Sequence, residues 1–191
     1  MSDDNGAPPA DPDAAKPEEI MWQGQFVTAK RRGRWEYAGR SRGIRAAAIV
    51  AIDHEGHVLL VEQYRVPLGK RCLEIPAGLI GDHEGDEDEA PEAAAARELE
   101  EETGYRADTW ETLGEFYSSP GMVSESFTLL RASDLTKVGE GGGTDSEDIR
   151  VHRVALNNLC EFVAARRAEG LAIDVRIAML MAAGWFGDED G

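Results

Sequence analysis

The sequence has little cysteine and no long apolar run. Its two cysteines, Cys72 and Cys160, are far apart and lack the spacing of metal ligands. No segment approaches the roughly 18 consecutive apolar residues that a membrane-spanning helix requires. The first residues also lack the apolar core of a secretory signal. We therefore expect reduced thiols, a cytoplasmic location and no contact with a membrane.

Basic residues are also few, with 20 Lys and Arg against 37 Asp and Glu and a formal net charge of -17. The resulting negative field disfavours binding to nucleic acid or to an anionic membrane surface. A phosphate-bearing substrate would have to be recruited by local arginines or by bound cations. The acid is concentrated, with six acidic residues in positions 1–19 and seven in positions 82–92. We interpret both stretches as solvated.

The chain has 191 residues, 42% of them hydrophobic, which is enough for one domain with a full core. We predict a disordered acidic tail over residues 1–18, an N-terminal β region over 19–44 and the main domain over 45–187. Strand patterns occupy residues 20–28, 34–39, 45–52, 58–64, 72–75, 110–117, 126–131 and 149–154. Helix patterns occupy residues 90–103, 156–167 and 173–183. This order predicts an α+β or α/β/α domain in which helices cover a mixed sheet.

The first predicted helix carries the acidic run Glu98-Leu99-Glu100-Glu101-Glu102. At about 100° per residue, the side chains of Glu98, Glu101 and Glu102 fall on one stripe, whereas Glu100 points away. Like charges at this spacing repel each other. A hard divalent cation, which takes oxygen ligands, would relieve that repulsion. The run therefore indicates a metal site, and the alternative is an ordinary solvated helix face.

The surroundings of this run carry a family resemblance. The second half of the Nudix box resembles the stretch Arg97-Glu98-Leu99-Glu100-Glu101-Glu102-Thr103-Gly104-Tyr105, and the earlier glutamate of the box matches Glu89. The opening glycine of the box corresponds to Gly78, five residues further from Glu89 than the family pattern has. We interpret residues 81–85 as an acidic insertion, because loop length varies at little cost. The resemblance extends from about Phe26 to the end of the chain. It implies the α/β/α sandwich of the Nudix family with a mixed β-sheet, preceded by an additional N-terminal antiparallel β region.

The resemblance also implies a Mg²⁺ site, with Mn²⁺ as a substitute. Carried over by position, Glu98 and Glu102 would be the principal ligands, Glu101 would assist, and the carbonyl of Ala77 would complete the set. Arg97 would orient a carboxylate, that of Glu101, through a charge-assisted hydrogen bond. Glu101 and Arg97 are thereby expected to contribute to catalysis. The alternative for Arg97 is a surface arginine in an i, i+4 pair.

Four further motifs resemble the ADP-ribose pyrophosphatase branch of the family: Glu62-Gln63-Tyr64-Arg65, Glu74-Ile75-Pro76-Ala77-Gly78, Ser119-Pro120-Gly121 and Glu147-Asp148-Ile149-Arg150-Val151. In that branch an arginine placed like Arg65 contacts the diphosphate, and an acid placed like Glu125 lies near the terminal ribose. Phe26 and Trp35 match aromatics that sandwich the adenine in dimeric relatives, and Arg40 matches a nearby polar contact. The resemblance thus implies a homodimer that binds a small nucleoside-diphosphate sugar. The alternative for Arg65 is a surface charge at the end of a strand, and the alternative for Glu125 is an ordinary loop acid. The two aromatics could instead belong to the core.

The catalytic base is expected on the loop of residues 139–148, because in the resembled branch a flexible loop after the box helix carries it. The glycines of this loop would allow closure at little steric cost. Glu147 fits best, since its long side chain can reach the attacking water, and we also expect it to bind metal. Asp145 is the alternative, and Asp148 is interpreted as a turn residue. It remains open that all three are solvated loop acids.

Together these features predict Mg²⁺-dependent hydrolysis of the diphosphate bond of a nucleoside-diphosphate sugar. ADP-ribose, cleaved to AMP and ribose 5-phosphate, is the leading candidate substrate. The alternatives are hydrolysis of GDP-mannose or another nucleotide sugar, a non-catalytic Nudix module that binds a nucleotide metabolite, and an acidic protein that binds Ca²⁺ or Mg²⁺ through residues 82–92. The intact carboxylate set argues against a non-catalytic module. The acidic stretch lacks the ligand spacing of an EF-hand.

Overall fold

The computed structural model describes residues 11–41, 44–81, 89–144 and 147–186. The chain divides into two compact units. The first contains Met1–Ile44 and Tyr117–Ser126, and the second contains Arg45–Phe116 and Phe127–Gly191. The predicted N-terminal β region thus forms a unit together with a later segment of the chain. The boundaries 1–18, 19–44 and 45–187 stay a prediction.

The first unit is built on a three-stranded antiparallel sheet with the order β1-β2-β3. Its strands are β1 (Glu18–Gln23), β2 (Val27–Arg32) and β3 (Trp35–Arg40). The single strand predicted over residues 20–28 is two strands, because the chain turns between them and the N–H of Gly24 donates to the carbonyl of Val27 at 2.8 Å. The later segment pairs with β3 through Ala38, whose N–H donates to the carbonyl of Met122 at 3.0 Å.

Part of the predicted disordered tail is structured in this unit. Residues 12–15 form a turn, and Asp13 is buried. The Asp13 carboxylate lies 2.6 Å from Nζ of Lys16 and 3.1 Å from Nε of Arg34. A buried carboxylate is stable only when it is paired, and these two cations supply the pairing. Residues 11–16 therefore take part in the contacts of this unit.

The second unit holds eight strands and three helices among its described residues. They are β4 (Arg45–Ala51), β5 (His57–Arg65), β6 (Lys70–Glu74), β7 (Ala77–Ile80), α1 (Pro91–Thr103), β8 (Tyr105–Tyr117), β9 (Ser126–Lys137), β10 (Arg150–Ala155), α2 (Leu159–Ala168), β11 (Ala172–Ile173) and α3 (Val175–Phe186). The strands form two four-stranded sheets with the orders β10-β5-β6-β11 and β7-β4-β9-β8. Both sheets are mixed. In the first, β11 pairs parallel with β6, whereas β5 pairs antiparallel with β6 and β10. In the second, β9 pairs parallel with β4, whereas β7 pairs antiparallel with β4. The predicted α/β class with a mixed sheet is confirmed.

Strand β4 is buried on both faces because its sequence is continuously apolar rather than alternating. One core packs α1 against β4, through Ala95 and Leu99 of the helix and Ile49 of the strand. The other core packs α2 and α3 against the opposite face, through Leu159 and Ile177. Helices therefore cover both sides of the sheet structure. No helix in the described ranges is long and apolar enough to cross a membrane.

Helix α1 begins and ends where its sequence predicts. Pro91 lies in the first turn, where a missing N–H costs no hydrogen bond. Gly104 follows the helix with a left-handed φ of 74°, and its N–H donates to the carbonyl of Glu100 at 2.9 Å. The helix packs on β7, a strand that was not predicted and that pairs with β4. This packing brings the two halves of the predicted box together.

Candidate active site

Glu102, near the end of α1, is a buried carboxylate with only 6% of its surface exposed. Its Oε2 accepts a hydrogen bond from the N–H of Ala77 on β7 at 3.1 Å. Burial raises the pKa of Glu102 to about 8, and the negative charges of Glu98 and Glu147 act in the same direction, whereas the Ala77 amide and Arg65 oppose it. Burial and two neighbouring acids therefore disfavour the charged form of the Glu102 carboxyl group.

Glu98 lies one turn earlier on α1 and contacts the backbone of β7. A Cβ atom at Gly78 would collide with the Glu98 carboxyl group, so a glycine at this position leaves the space that the carboxylate occupies. Gly78 is itself placed by its pairing with Ala47 of β4. A residue larger than glycine at position 78 would therefore displace the Glu98 carboxylate.

Arg97 contacts Glu98 and Glu89 rather than Glu101, which was its predicted partner. Its NH1 donates to Oε1 of Glu98 at 2.8 Å, and its NH2 lies 3.7 Å from Oε2 of Glu89. The side chain extends toward β7, where NH2 also donates to the carbonyl of Leu79 at 3.4 Å. Arg97 therefore joins its neighbour Glu98 on α1 to the backbone of β7.

The other two glutamates of the run differ in their surroundings. Glu100 points away from Glu98 and Glu102, as predicted, and accepts two hydrogen bonds from Arg106 at 2.7 and 2.8 Å. Glu101 is exposed. The contacts to β7 thus involve Glu98 and Glu102, and the assisting position predicted for Glu101 faces solvent.

The predicted metal ligands do not form a ready-made cluster. Within the described ranges, no three Asp, Glu, His or Cys side chains stand close enough together to hold a metal ion. The donor set nevertheless fits a hard divalent cation, because Glu98 and Glu102 offer only oxygen ligands. Burial also removes most of the solvent from the Glu102 carboxylate. The cation would supply the charge that this buried group lacks.

The glycine-rich segment before Glu147 is fixed against α1 rather than free. The N–H groups of Gly142 and Gly143 donate to the carbonyls of Glu102 and Glu101 at 2.9 and 3.0 Å. A Cβ atom at Gly141 would collide with the backbone of Thr103. The glycines therefore allow close contact between two backbones and satisfy carbonyls at the helix end. This role differs from the flexible hinge that the sequence predicted.

Glu147 is held within the same loop. Its Oε2 accepts hydrogen bonds from the N–H and the hydroxyl of Thr144 at 3.0 and 3.1 Å, and Gln63 on β5 donates to its Oε1 at 3.4 Å. The alternative base, Asp145, lies outside the described residues. So does the predicted acidic insertion beyond Gly81, together with most of the acidic stretch 82–92.

Arg65, at the end of β5, forms a bidentate ion pair with Glu74 of β6. Its Nε and NH2 lie 2.6 and 2.9 Å from the two carboxylate oxygens. Glu74 is buried and is also contacted by NH2 of Arg176 at 3.3 Å, while Arg176 pairs with Asp174 at 2.8 Å. Two of the branch motifs are therefore joined by an ion pair, and two arginines share one buried carboxylate.

The remaining predicted residues lie in the first unit. Nε of Arg40 donates to Oε1 of Glu125 at 2.7 Å, so the structure brings these two residues together. Phe26 and Trp35 are both about half exposed rather than in the core. Trp35 lines an open cavity of about 660 Å³, whose walls come from the first unit alone and are mainly apolar. The carboxylates of α1 belong to the second unit.

Several residues of these sites were missed from the sequence. The cavity is also lined by Tyr37 and Tyr117. Tyr37 lies two residues after Trp35 on β3, and side chains two apart share a face of a strand, which was a usable signal. Arg71 contacts both Glu62 and Asp148, members of two quoted motifs. No local pattern marks Arg71, because both contacts are distant in sequence.

The sequence is similar to a known family and to several known proteins. A family model described as NUDIX domain matches residues 42–171. An ADP-ribose pyrophosphatase of Bacillus subtilis is 36% identical over 122 residues, covering 63% of this chain and 63% of that protein. An ADP-sugar pyrophosphatase of Mus musculus is 36% identical over 186 residues, covering 84% and 82%.

A solved structure described as an ADP compounds hydrolase shares the fold. It superposes with a TM-score of 0.63 at 21% sequence identity, over 92% of this chain and 95% of that one. The matched region contains the contacts of Gly78, Glu98 and Glu102 described above. A family match over more than half of the sequence, a common fold and this arrangement of residues lead to one conclusion: the chain belongs to the Nudix hydrolase family.

Proposed function

We propose that this enzyme hydrolyses the diphosphate bond of a nucleoside-diphosphate sugar with Mg²⁺, and that ADP-ribose, cleaved to AMP and ribose 5-phosphate, is its main substrate. The observation that carries the proposal is the placement of Glu102 and Glu98 of α1 against Ala77 and Gly78 of β7. Two carboxylates on a fixed backbone frame, next to Arg65, suit a substrate that brings both phosphate charge and a bound cation.

Glu98 and Glu102 would hold the metal, and the carbonyl of Ala77 would complete the set. When bound, Mg²⁺ supplies charge neutralisation for the diphosphate and for the departing phosphate. Arg97 keeps the Glu98 carboxylate in place through its hydrogen bond at 2.8 Å. Mn²⁺ would substitute, because it accepts the same oxygen donors.

Arg65 would bind the diphosphate. Two of its donors are taken by Glu74, which holds the guanidinium plane still, and 40% of its side chain is exposed. No described residue accepts a hydrogen bond from its NH1, which leaves that group for a phosphate oxygen. Arg65 also lowers the pKa of Glu102, so the two groups lie within electrostatic reach. Phosphate and metal would therefore meet at one point.

Glu147 would act as the general base that takes a proton from the attacking water. Its charge reaches Glu102 electrostatically, and its carboxylate is held by Thr144 and Gln63. A base must lie within hydrogen-bonding distance of the proton that it removes. Asp145, two residues earlier in the sequence, is the alternative base.

In the homodimer that we propose, the N-terminal strands of one subunit would complete the substrate site of the other. The first unit exposes large apolar side chains on or next to strands β1–β3, namely Ile20, Met21, Trp22, Phe26, Val27 and Trp35. Among its described residues, Ile44 is the only large hydrophobic side chain that is buried, so this sheet has little core of its own. An exposed apolar sheet of this kind is typical of a protein interface. A second copy of the chain would cover it, and Phe26 and Trp35 would then stack on the base, with Arg40 and Glu125 nearby.

The test is a phosphate-release panel with ADP-ribose, GDP-mannose, UDP-glucose, diadenosine polyphosphates and NADH, coupled to a phosphatase. We expect the highest kcat/KM for ADP-ribose, a requirement for Mg²⁺, and AMP as the product. A higher kcat/KM for GDP-mannose would replace the proposed substrate and keep the reaction. Binding of ADP-ribose without any hydrolysis would identify a non-catalytic module and would overturn the proposal.

A further inference from the structure

Arg71 of β6 joins the strand core to the loop that carries Glu147. Its side chain is largely buried, with 18% exposed. NH1 donates to Oδ2 of Asp148 at 2.6 Å, and NH2 donates to the Asp148 carbonyl at 2.9 Å. On the other side, Nε donates to Oε1 of Glu62 and NH2 to the Glu62 carbonyl at 2.8 Å. One guanidinium thus bonds to the backbone and the side chain of two residues that are far apart in the sequence.

The Glu62 end of this contact is a rigid anchor. Glu62 lies on β5 with 3% of its side chain exposed, and it also contacts His152 at 3.0 Å and Arg150 at 3.3 Å. Burial raises the pKa of Glu62, but hydrogen bonds from His152 and Arg71 outweigh burial and bring the pKa below its ordinary value. Glu62 is therefore charged and requires cationic partners. If Arg71 moved away, this buried carboxylate would lose one of them.

The Asp148 end holds the loop beside Glu147. Consecutive Cα atoms are about 3.8 Å apart, so a fixed Asp148 backbone restricts where the Glu147 carboxylate can lie. The earlier part of the loop is fixed independently, since Gly142 and Gly143 donate to carbonyls at the end of α1. The loop is therefore tied at both ends, to α1 on one side and to β5 and β6 on the other.

We propose that Arg71 is a positioning residue that holds Glu147 at the reaction centre in advance of substrate binding. This inference rests on the proposed role of Glu147 as the general base. A base held in place needs no reorganisation when the water attacks. Arginine suits the task because its planar fork presents several donors in fixed directions, which lysine does not. Asp148, interpreted from the sequence as a turn residue, is in this view the point at which the loop is held.

The experiment is a double-mutant cycle on the full-length enzyme with ADP-ribose and Mg²⁺. Arg71→Met should lower kcat by about 10- to 100-fold and leave KM within about twofold, because a misplaced catalytic group costs rate more than binding. In a Glu147→Gln background the same substitution should lower kcat no further, since residues that act as a unit are not additive. Arg71→Lys should recover part of the loss.

Two further variants keep the test independent of folding. Asp148→Ala removes the hydrogen bond from NH1 of Arg71 to Oδ2, and it leaves both the ion pair of Arg71 with Glu62 and the bond to the Asp148 carbonyl intact. It should lower kcat in the wild-type background and leave kcat unchanged in the Glu147→Gln background. Arg153→Met is the matched control, because Arg153 joins β10 to Asp53 and Glu55 in the turn before β5. It should leave kcat unchanged.

The outcomes separate this inference from the proposed function. Full activity of Arg71→Met, or equal losses from either Arg71→Met or Asp148→Ala in both backgrounds, would overturn the positioning role and leave Glu147 as the base. Normal turnover of Glu147→Gln would overturn the base assignment, and the positioning role of Arg71 would go with it.

Discussion

The N–H of Ala77 donates to Oε2 of Glu102 across 3.1 Å, and this bond joins β7 to the last turn of α1. The two residues lie at opposite ends of the predicted box. Because Ala77 and Glu102 meet directly, the segment between β7 and α1 can gain or lose residues without moving the Glu102 carboxylate. The acidic insertion inferred from the sequence is therefore compatible with an intact site.

Glu102→Gln should retain the fold and lose most activity. An amide oxygen is a poor replacement for a carboxylate at a hard cation, and loss of one such group costs on the order of 10² to 10³ in turnover. The measurement is kcat with ADP-ribose across a Mg²⁺ titration, together with a thermal melt. Glu100→Gln is the control, since Glu100 pairs with Arg106 on the exposed side. Near-normal turnover of a folded Glu102→Gln variant would refute the metal assignment.

Gly78→Ala should disturb the proposed metal site and leave the fold intact. The new Cβ collides with the end of a flexible side chain, Glu98, which can rotate away at little cost in stability. Displacing that ligand should raise the Mg²⁺ concentration for half-maximal activity by roughly 10- to 100-fold. In a Glu98→Ala background the collision is absent, so Gly78→Ala should add nothing. An additive effect there would show that Gly78 matters for another reason.

Gly104→Ala should reduce the free energy of unfolding more than Gly56→Ala does. Both glycines have a left-handed φ, 74° and 77°, which costs an alanine roughly 1–2 kcal/mol. A Cβ at Gly56 meets nothing, whereas one at Gly104 collides with the backbone carbonyl of Gly139. We expect an additional loss of about 1–3 kcal/mol for Gly104→Ala in urea denaturation. Equal losses would contradict the tight contact between α1 and the glycine-rich segment.

Trp22→Asp should convert the proposed dimer to a monomer. Trp22 is 61% exposed on β1, and a carboxylate buried there in a dimer would lack a partner. Light scattering gives the mass, and the ADP-ribose assay gives the KM, which should rise as the base site is lost. Val175→Asp, at a similarly exposed position on α3, is the control and should stay dimeric. A wild-type enzyme that is a fully active monomer would rule out the arrangement.

Glu147→Gln should lower kcat far more than it changes KM, as expected for a group that is needed mainly in the transition state. The loss expected for a general base is roughly 10² to 10⁴. Asp145→Asn should retain activity. If the two results are reversed, the base is Asp145. If both variants are active, a carboxylate of α1 must activate the water.

Some features of the fold and of the candidate site follow from local sequence. Helix α1 runs over Pro91–Thr103, as predicted, because its start and stop signals, Pro91 and Gly104, act within one turn of the chain. Glu100 is separated from Glu98 and Glu102 by helical geometry alone. The family resemblance, which depends on spacing within a short stretch, is confirmed by the match over residues 42–171.

Other features needed the tertiary structure. The split of residues 20–28 into β1 and β2, and the strand β7, depend on which strands pair. The contact of Arg97 with the Leu79 carbonyl likewise depends on the packing of α1 on β7. The glycines before Glu147 suggested a hinge by composition, yet their contacts with α1 use the absence of a Cβ for close packing instead.

The sequence by itself determined which functional groups are available, because carboxylates at helical spacing, a glycine and an arginine carry the same atoms in any fold. Only the tertiary structure decided which of them meet. Glu102 is buried against Ala77 and Glu101 is left in solvent, although both lie on the predicted stripe. Arg71 reaches Asp148 across 77 positions of sequence, and no local pattern encodes a contact of that length. Such contacts arise from the packing of strands and loops, which depends on the whole chain at once.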